Sequence, residues 1–153
     1  MKVIYQKPKF KKLKKQGLMC VDLHLHSSYS DSTTTLNLLL QRARRLGIGL
    51  AITDHNHIMG SLKAFTRQKK VMIIPSIELT STENIDLIPY FYNMAELVEF
   101  YNKYVVKTKT PNRGFDFNKL KWTTSELIDH LKKYNCLINI PHPFAPYPKN
   151  AYT

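Results

Sequence analysis

The chain has 153 residues, 43% hydrophobic and 22% charged, a balance that excludes intrinsic disorder and suits one domain with a sizeable core. No apolar run approaches the ~20 residues of a membrane span, and the basic N-terminus lacks a signal peptide's apolar stretch, so a cytoplasmic protein without membrane contact is expected. The formal charge of +12 is local: Lys2, Lys7, Lys9, Lys11, Lys12, Lys14 and Lys15 are seven of the 23 basic residues, and without them the excess falls to +5.

Residues 1–17 thus read as a basic leader, with Gly17 as a hinge, and residues 18–153 as the domain. The leader suits a solvated tail, a docking arm or a phosphate-binding patch, and nucleic-acid contact through it is one reading. Residues 18–21 are apolar and lead into Asp22-Leu23-His24-Leu25-His26, a buried strand ending in polar residues. Strand side chains alternate, so Asp22, His24 and His26 share one face, with the two histidines roughly 6.5–7 Å apart at Cα and able to converge on one metal ion. Residues 34–46 carry Leu36, Leu39, Leu40, Ala43 and Leu46 at helical spacing, with Ser32 or Thr33 as the starting cap and Gly47 as the stop.

A second buried strand covers residues 48–53, and a short helix with Leu62 and Phe65 covers 58–69. The third strand starts at Val71 and runs past Pro75 to Glu78; the fourth covers 85–92. Asn93 and Glu96 outline a capping box for a helix reaching Val106, and Thr123 and Glu126 form another for a helix reaching Tyr134. Between them lies a polar loop at 107–121, and Cys136 opens a fifth strand stopped by Pro141-His142-Pro143. Cys20 and Cys136 sit at apolar strand positions and read as core thiols. Apolar strands alternating with amphipathic helices predict an α/β layout of about five mainly parallel strands with helices outside.

Polar residues gather at the strand boundaries of that layout. His24, His26 and Asp31 follow the first strand and Asp54-His55 the second; Glu78 ends the third, Asp86 begins the fourth and His142 follows the fifth. Sites of α/β folds form at the carboxyl ends of parallel strands. Imidazoles and carboxylates together suit zinc, manganese or iron, and the lack of clustered thiols argues against a structural zinc site. His57 reads as a solvated loop histidine and His130 as a surface one; Tyr29, Asn56 and Arg113 are within reach of a substrate phosphate but not singled out. There is no glycine-rich phosphate loop and no Ser-His-Asp pattern.

Taken in order, Asp22-Leu23-His24-Leu25-His26-Ser27, Ala51-Ile52-Thr53-Asp54-His55-Asn56, Ile74-Pro75-Ser76-Ile77-Glu78 and Pro141-His142-Pro143 resemble the successive motifs of the polymerase and histidinol phosphatase (PHP) family. The resemblance implies a partial or distorted β/α barrel with two or three divalent ions (manganese, zinc or iron) at the strand ends. It makes His24, His26 and Glu78 ligands of one ion, has Glu78 bridge to a second that takes His142, and gives Asp31 and His55 to a third. Asp54, His55 and Glu78 are then the catalytic residues, and Asp54 and Asp22 the partners that orient imidazoles. Asp86 stands where the family has a histidine, either as a replacement ligand on the second ion or as a solvated residue. Ser76 replaces a glycine, and the family's closing Asp and His have no counterpart before Thr153.

The implied activity is metal-dependent hydrolysis of a phosphomonoester or phosphodiester, of a nucleotide or oligonucleotide, by metal-activated hydroxide. The alternatives are exonuclease-like action on RNA or DNA ends and a truncated, non-catalytic metal-binding remnant serving as an interaction module. Five strands do not close a barrel, so the expectation is either a fragment of a longer protein or a short form whose open edge a second copy covers.

Overall fold

The computed structural model describes residues 9–67, 70–108 and 119–144. Lys2, Lys7, Arg113, most of the predicted 107–121 loop and the end of the chain from residue 145 lie outside them. Among the described residues six strands make two three-stranded sheets. The first holds β1 (Val21–Leu25), β2 (Gly49–Ile52) and β3 (Ile73–Ile74), and the second β4 (Leu79–Thr80), β5 (Asp86–Phe91) and β6 (Cys136–Asn139), each in that order. Five helices accompany them: α1 (Phe10–Lys15), α2 (Leu36–Leu46), α3 (Met59–Arg67), α4 (Met94–Phe100) and α5 (Thr124–Leu131). A π-helical turn at Tyr101–Val105 and a 3-10 turn at Val106–Thr108 continue α4.

The first sheet is parallel, with Leu50 between Asp22 and Ile73 in register. The second is antiparallel throughout, which corrects the expectation of five mainly parallel strands. The predicted third strand stops at Ile74, before Pro75, which has no N–H to give a ladder, and a new strand begins at Leu79, just past its predicted end. Bridges from His55 to Glu78 and from Ser76 to Tyr90 knit the sheets across that break. Reversal of β5 brings its first residue, Asp86, to the edge where β1, β2 and β4 end. No barrel closes among the described residues, because β1 and β6 each have one strand partner. A cavity of about 780 Å³, lined by Leu23, Met72, Ile74, Tyr90, Tyr92 and Leu137 among others, opens where closure is missing.

Helices cover the other face. Leu50, Ile52 and Ile73 pack with Leu36, Leu40, Ala43 and Ala64 of α2 and α3, while Ile77, Leu79, Leu87 and Phe91 pack with Leu97, Phe100, Leu127 and Leu131 of α4 and α5. Burial of each such Leu or Phe stabilises by roughly 1.5–3 kcal/mol. With Ile77, Leu79 and Leu87 committed to the helices, alternation turns Glu78 and Asp86 to the open face.

Capping follows the sequence with one change. Thr35, not Ser32 or Thr33, caps α2 by accepting from Leu38 N, and Gly47 ends it in the left-handed region at φ 62°. Lys14 Nζ of α1 donates to Leu46 O at 3.1 Å, which docks the basic helix on the end of α2. Thr123 and Glu126 form the full capping box; of the Asn93–Glu96 box only the Asn93 side is made. Cys136 packs against the core and Cys20 is half-buried, both as free thiols. Among the described residues no helix is long and apolar enough to cross a membrane.

His130 is half-buried and not a solvated surface residue. Its ring stacks on Tyr104 at 4.2 Å and meets Trp122 edge-on at 4.5 Å, and both ring nitrogens are shielded without a hydrogen-bond partner among the described residues. Burial, with the charge of Lys133, lowers its pKa from 6.5. The unfolded chain therefore binds the proton first, and stability falls as pH drops through 6.5. His130→Phe keeps the stack and removes the titration, so its Tm should fall less than the wild type's between about pH 7.5 and about pH 5.5. Equal falls would refute this account.

Gly60 in α3 is held by contact: a Cβ there would collide with Asp54 Oδ2 and stand 2.8 Å from Ser27 Oγ. Asp54 is wholly buried and fixed by three hydrogen bonds, so it has no room to give. Gly60→Ala should cost about 2 kcal/mol or more in denaturant unfolding.

Candidate metal centre

Glu78 lies between β3 and β4 with no exposed surface, and four imidazoles converge on its carboxylate. His24 and His26 at the end of β1 place Nε2 atoms 3.3 and 3.0 Å from Glu78 Oε2 and 3.1 Å from each other. His55, after β2, approaches the same oxygen at 3.6 Å, and His142, after β6, approaches Oε1 at 4.0 Å. Three sets of ligand-type atoms gather within 4.8 Å of one another: His24-His26-Glu78, His26-Asp31-His55 and His55-Glu78-Asp86. The structure thus brings together all seven residues expected as ligands, although His142 stands outside those three sets.

Their dimensions fit a divalent ion. A tetrahedral site with bonds of ~2.0–2.1 Å has ligand–ligand edges of ~3.3–3.4 Å, and an octahedral one ~2.8–3.0 Å. The His24-His26-Glu78 triangle, at 3.0–3.3 Å, has that size. Buried Glu78 Oε1 has no hydrogen-bond partner among the described residues, so one lone-pair side of the carboxylate is left for a cation.

Protonation states agree. Burial works against charge on Glu78, but the hydrogen bond from His26 and the charges of His55, His24 and His26 outweigh it and lower its pKa. Burial of His55 lowers its pKa, with Glu78 opposing and His26 reinforcing, so the ring is held neutral. Burial also opposes charge on His26, yet Glu78, Asp31 and Asp54 raise its pKa overall. Asp31, despite its own burial, is lowered by His26, Ser30 and His55.

A hydrogen-bond chain assigns the His55 tautomer. Thr80 Oγ1 donates to Asp86 Oδ1 at 2.8 Å, so at 3.4 Å it accepts from His55 Nδ1–H. The Nε2 lone pair then faces Glu78 at 3.6 Å and Asp31 Oδ2 at 3.9 Å, an arrangement that a cation between them makes favourable. The other Asp86 oxygen, Oδ2, stands 3.5 Å from His142 Nδ1, so Asp86 is buried and paired, not solvated.

Two expected roles change hands. Asp54 makes no hydrogen bond to an imidazole among the described residues; it accepts from Ser27 N and Ser27 Oγ at 2.7 Å and from Ser30 Oγ at 2.9 Å, clamping the loop that carries Asp31. Asp22 is exposed and, among the described residues, accepts only from the backbone N of His24 at 3.4 Å. Asp31 takes up the orienting task, with Oδ1 3.0 Å from His26 Nδ1. Sequence reasoning missed Thr80, Ser27 and Ser30; the Thr53-Asp54 and Ser27-to-Ser30 polar clusters beside the motifs were the available signal. His57, expected in solvent, stacks with Tyr29 and meets Tyr101, each at 6.3 Å.

Two Endonuclease Q structures share the fold. One, the lesion-specific endonuclease from Pyrococcus furiosus, superposes with a TM-score of 0.68 at 18% identity, covering 86% of this chain and 36% of that one. The other, an Endonuclease Q complex with a 27-mer duplex carrying an abasic lesion at the active site, gives 0.66 at 19% identity over 82% of this chain and 35% of that one. The chain thus spans about a third of the length of either neighbour. No curated protein matches it. The PHP domain family matches residues 22–144, a stretch that begins at Asp22 and takes in every residue of the cluster. The chain belongs to the PHP domain family.

Proposed function

We infer that the protein is a metal-dependent phosphoesterase acting on a phosphoester of a nucleotide or oligonucleotide. The observation that carries this reading is the buried Glu78 carboxylate, approached by imidazoles from three strand ends, with His24 and His26 at the spacing of a divalent ion's coordination shell. His24, His26 and Glu78 would hold one ion, Glu78 with His142 a second, and Asp31 with His55 a third. Bound there, divalent ions lower the pKa of a shared water towards neutrality and offset charge on the phosphate. Thr80 and Asp86 hold His55 with its Nε2 lone pair forward, and Asp86 holds His142. The Ser27–Asp54–Ser30 clamp fixes Asp31. Asp86 acts through these imidazoles, and Asp54 through the loop.

An open apolar cavity beside the site supports a second copy as the cover for the incomplete edge. The basic leader supports nuclease action less well. Its described part docks at the start of β1 and the end of α2, whereas the cluster lies at the far end of β1, roughly 16 Å away.

The test uses the full chain stripped with a chelator and reloaded with Mn2+, Zn2+ or Fe2+, read by metal content and by hydrolysis of bis-p-nitrophenyl phosphate and p-nitrophenyl phosphate. At least two ions per chain and metal-restored turnover are expected. Glu78→Gln should lose at least one ion and about 100-fold or more in kcat/KM. One ion or none, with no hydrolysis, would leave a metal-binding module in place of an enzyme. Replacing Lys11, Lys12 and Lys15 together by Gln should change kcat/KM on a nucleotide ester by less than about two-fold, since that distance exceeds a Debye length of ~8 Å. A larger, salt-sensitive loss would return the leader to the substrate path.

A further inference from the structure

The excess of positive charge extends beyond the leader. The first 77 residues hold fourteen of the chain's 23 basic residues and three of its eleven acidic ones, so +11 of the net +12 lies there. That half of the chain builds α1, α2, α3 and the first sheet. None of its three acids lies on a helix: Asp54 is wholly buried, Asp31 belongs to the metal cluster, and Asp22 accepts from the backbone N of His24. The helices of this half therefore expose charge of one sign. Lys11, Lys12 and Lys15 of α1, Arg42 and Arg45 of α2, and Lys70 before β3 are all exposed.

Helix α2 joins this basic region to the metal cluster. Lys14 docks α1 on its last residue, and at its other end Ser28 N donates to Thr34 O at 2.9 Å, tying the helix start to the loop that carries Asp31. Eleven residues at 1.5 Å each make α2 about 16 Å long, which matches the separation between the leader helix and the cluster. Leu36, Leu40 and Ala43 form its buried side, so Leu38, Gln41, Arg42 and Arg45 face outward. A hollow of about 460 Å³ follows that outward side, with Thr34 at its cluster end and Arg45 at its basic end. Hydroxyl, amide and guanidinium groups of this kind donate hydrogen bonds to phosphate and sugar oxygens. A lipid surface asks instead for apolar side chains carried out with the cations, whereas Phe10 and Leu13 of α1 are half-buried.

We propose that the outward face of α2, together with the lysines of α1, is a track for the sugar–phosphate backbone of a nucleic acid strand. The distance that removes α1 from the chemistry of a short ester is one that a longer strand covers along α2. Binding at the track needs no metal. That the bound strand is also the substrate rests on the phosphoesterase reading, which the track then narrows from nucleotides to oligonucleotides.

The test is fluorescence anisotropy of a dye-labelled single-stranded DNA with the full chain, kept metal-free by a chelator. Contacts to about four or five phosphates should raise Kd roughly 50- to 130-fold between about 50 and about 200 mM salt. Arg42→Gln combined with Arg45→Gln should weaken binding at the lower salt about five-fold or more and flatten the salt slope by about 1.4. Lys107→Gln combined with Lys121→Gln, which removes the same charge from exposed positions in the other half, should change neither. Salt-independent binding, no binding at the lower salt, or equal losses in the two double variants would each overturn the proposal. Tighter binding to phosphatidylserine vesicles than to the DNA would overturn it in favour of a lipid surface. Metal-free DNA binding with no ester hydrolysis after Mn2+ loading would keep the track and reject the enzymatic reading. Hydrolysis of bis-p-nitrophenyl phosphate without DNA binding would do the reverse.

Discussion

The rest of the structure depends on a charge placed where charge is expensive. Glu78 has no exposed surface, and a carboxylate removed from water costs several kcal/mol unless opposite charge and hydrogen bonds surround it. Ile77 and Leu79, its neighbours in the chain, are wholly buried among the helices, so alternation turns the carboxylate to the opposite face, where imidazoles close round it. Histidines from β1, β2 and β6 must come to it. One of them, His26, is biased towards its charged form and another, His55, towards its neutral form.

The same residue joins the two sheets. Its bridge to His55 extends the parallel sheet past Pro75, and Leu79 and Thr80 then begin the antiparallel one. That change of partner lets a short hairpin return Asp86 to the site through Thr80. A fully parallel arrangement would have put the start of β5 at the opposite edge, a strand's length away. The departure from a regular parallel sheet is what supplies the carboxylate that orients His55 and His142.

This divides what was legible in the sequence from what was not. His24 and His26 declare themselves because period-two spacing puts them on one face, and Glu78 because it is a carboxylate ending an apolar strand. Strand existence was readable because each run is mainly apolar and bounded by polar or turn-forming residues. Strand direction is not written in composition, so the placement of Asp86 was open until β5 was seen to reverse. Asp54 and His130 were misread because their partners are non-local: Ser27 and Ser30 lie a strand and a helix upstream, and the Tyr104 and Trp122 rings reach His130 from other segments. The cap of α2 moved from Ser32 or Thr33 to Thr35 because all three candidates offer the same hydroxyl, and only the docked helix start selects among them.

Charge at the site sets an order of events. Asp31, Asp54, Glu78 and Asp86 are four of the chain's eleven acidic residues, and all stand at or beside the cluster, while α1 carries its lysines at the other end of the sheet. A phosphate approaching the bare protein therefore meets carboxylates first, despite a net charge of +12. Imidazoles alone do not reverse this, because His55 is held neutral and the charge favoured on His26 is matched by Glu78. A divalent cation held there would reverse the sign of that field, so under the phosphoesterase reading metal loading would have to precede the binding of an anionic substrate.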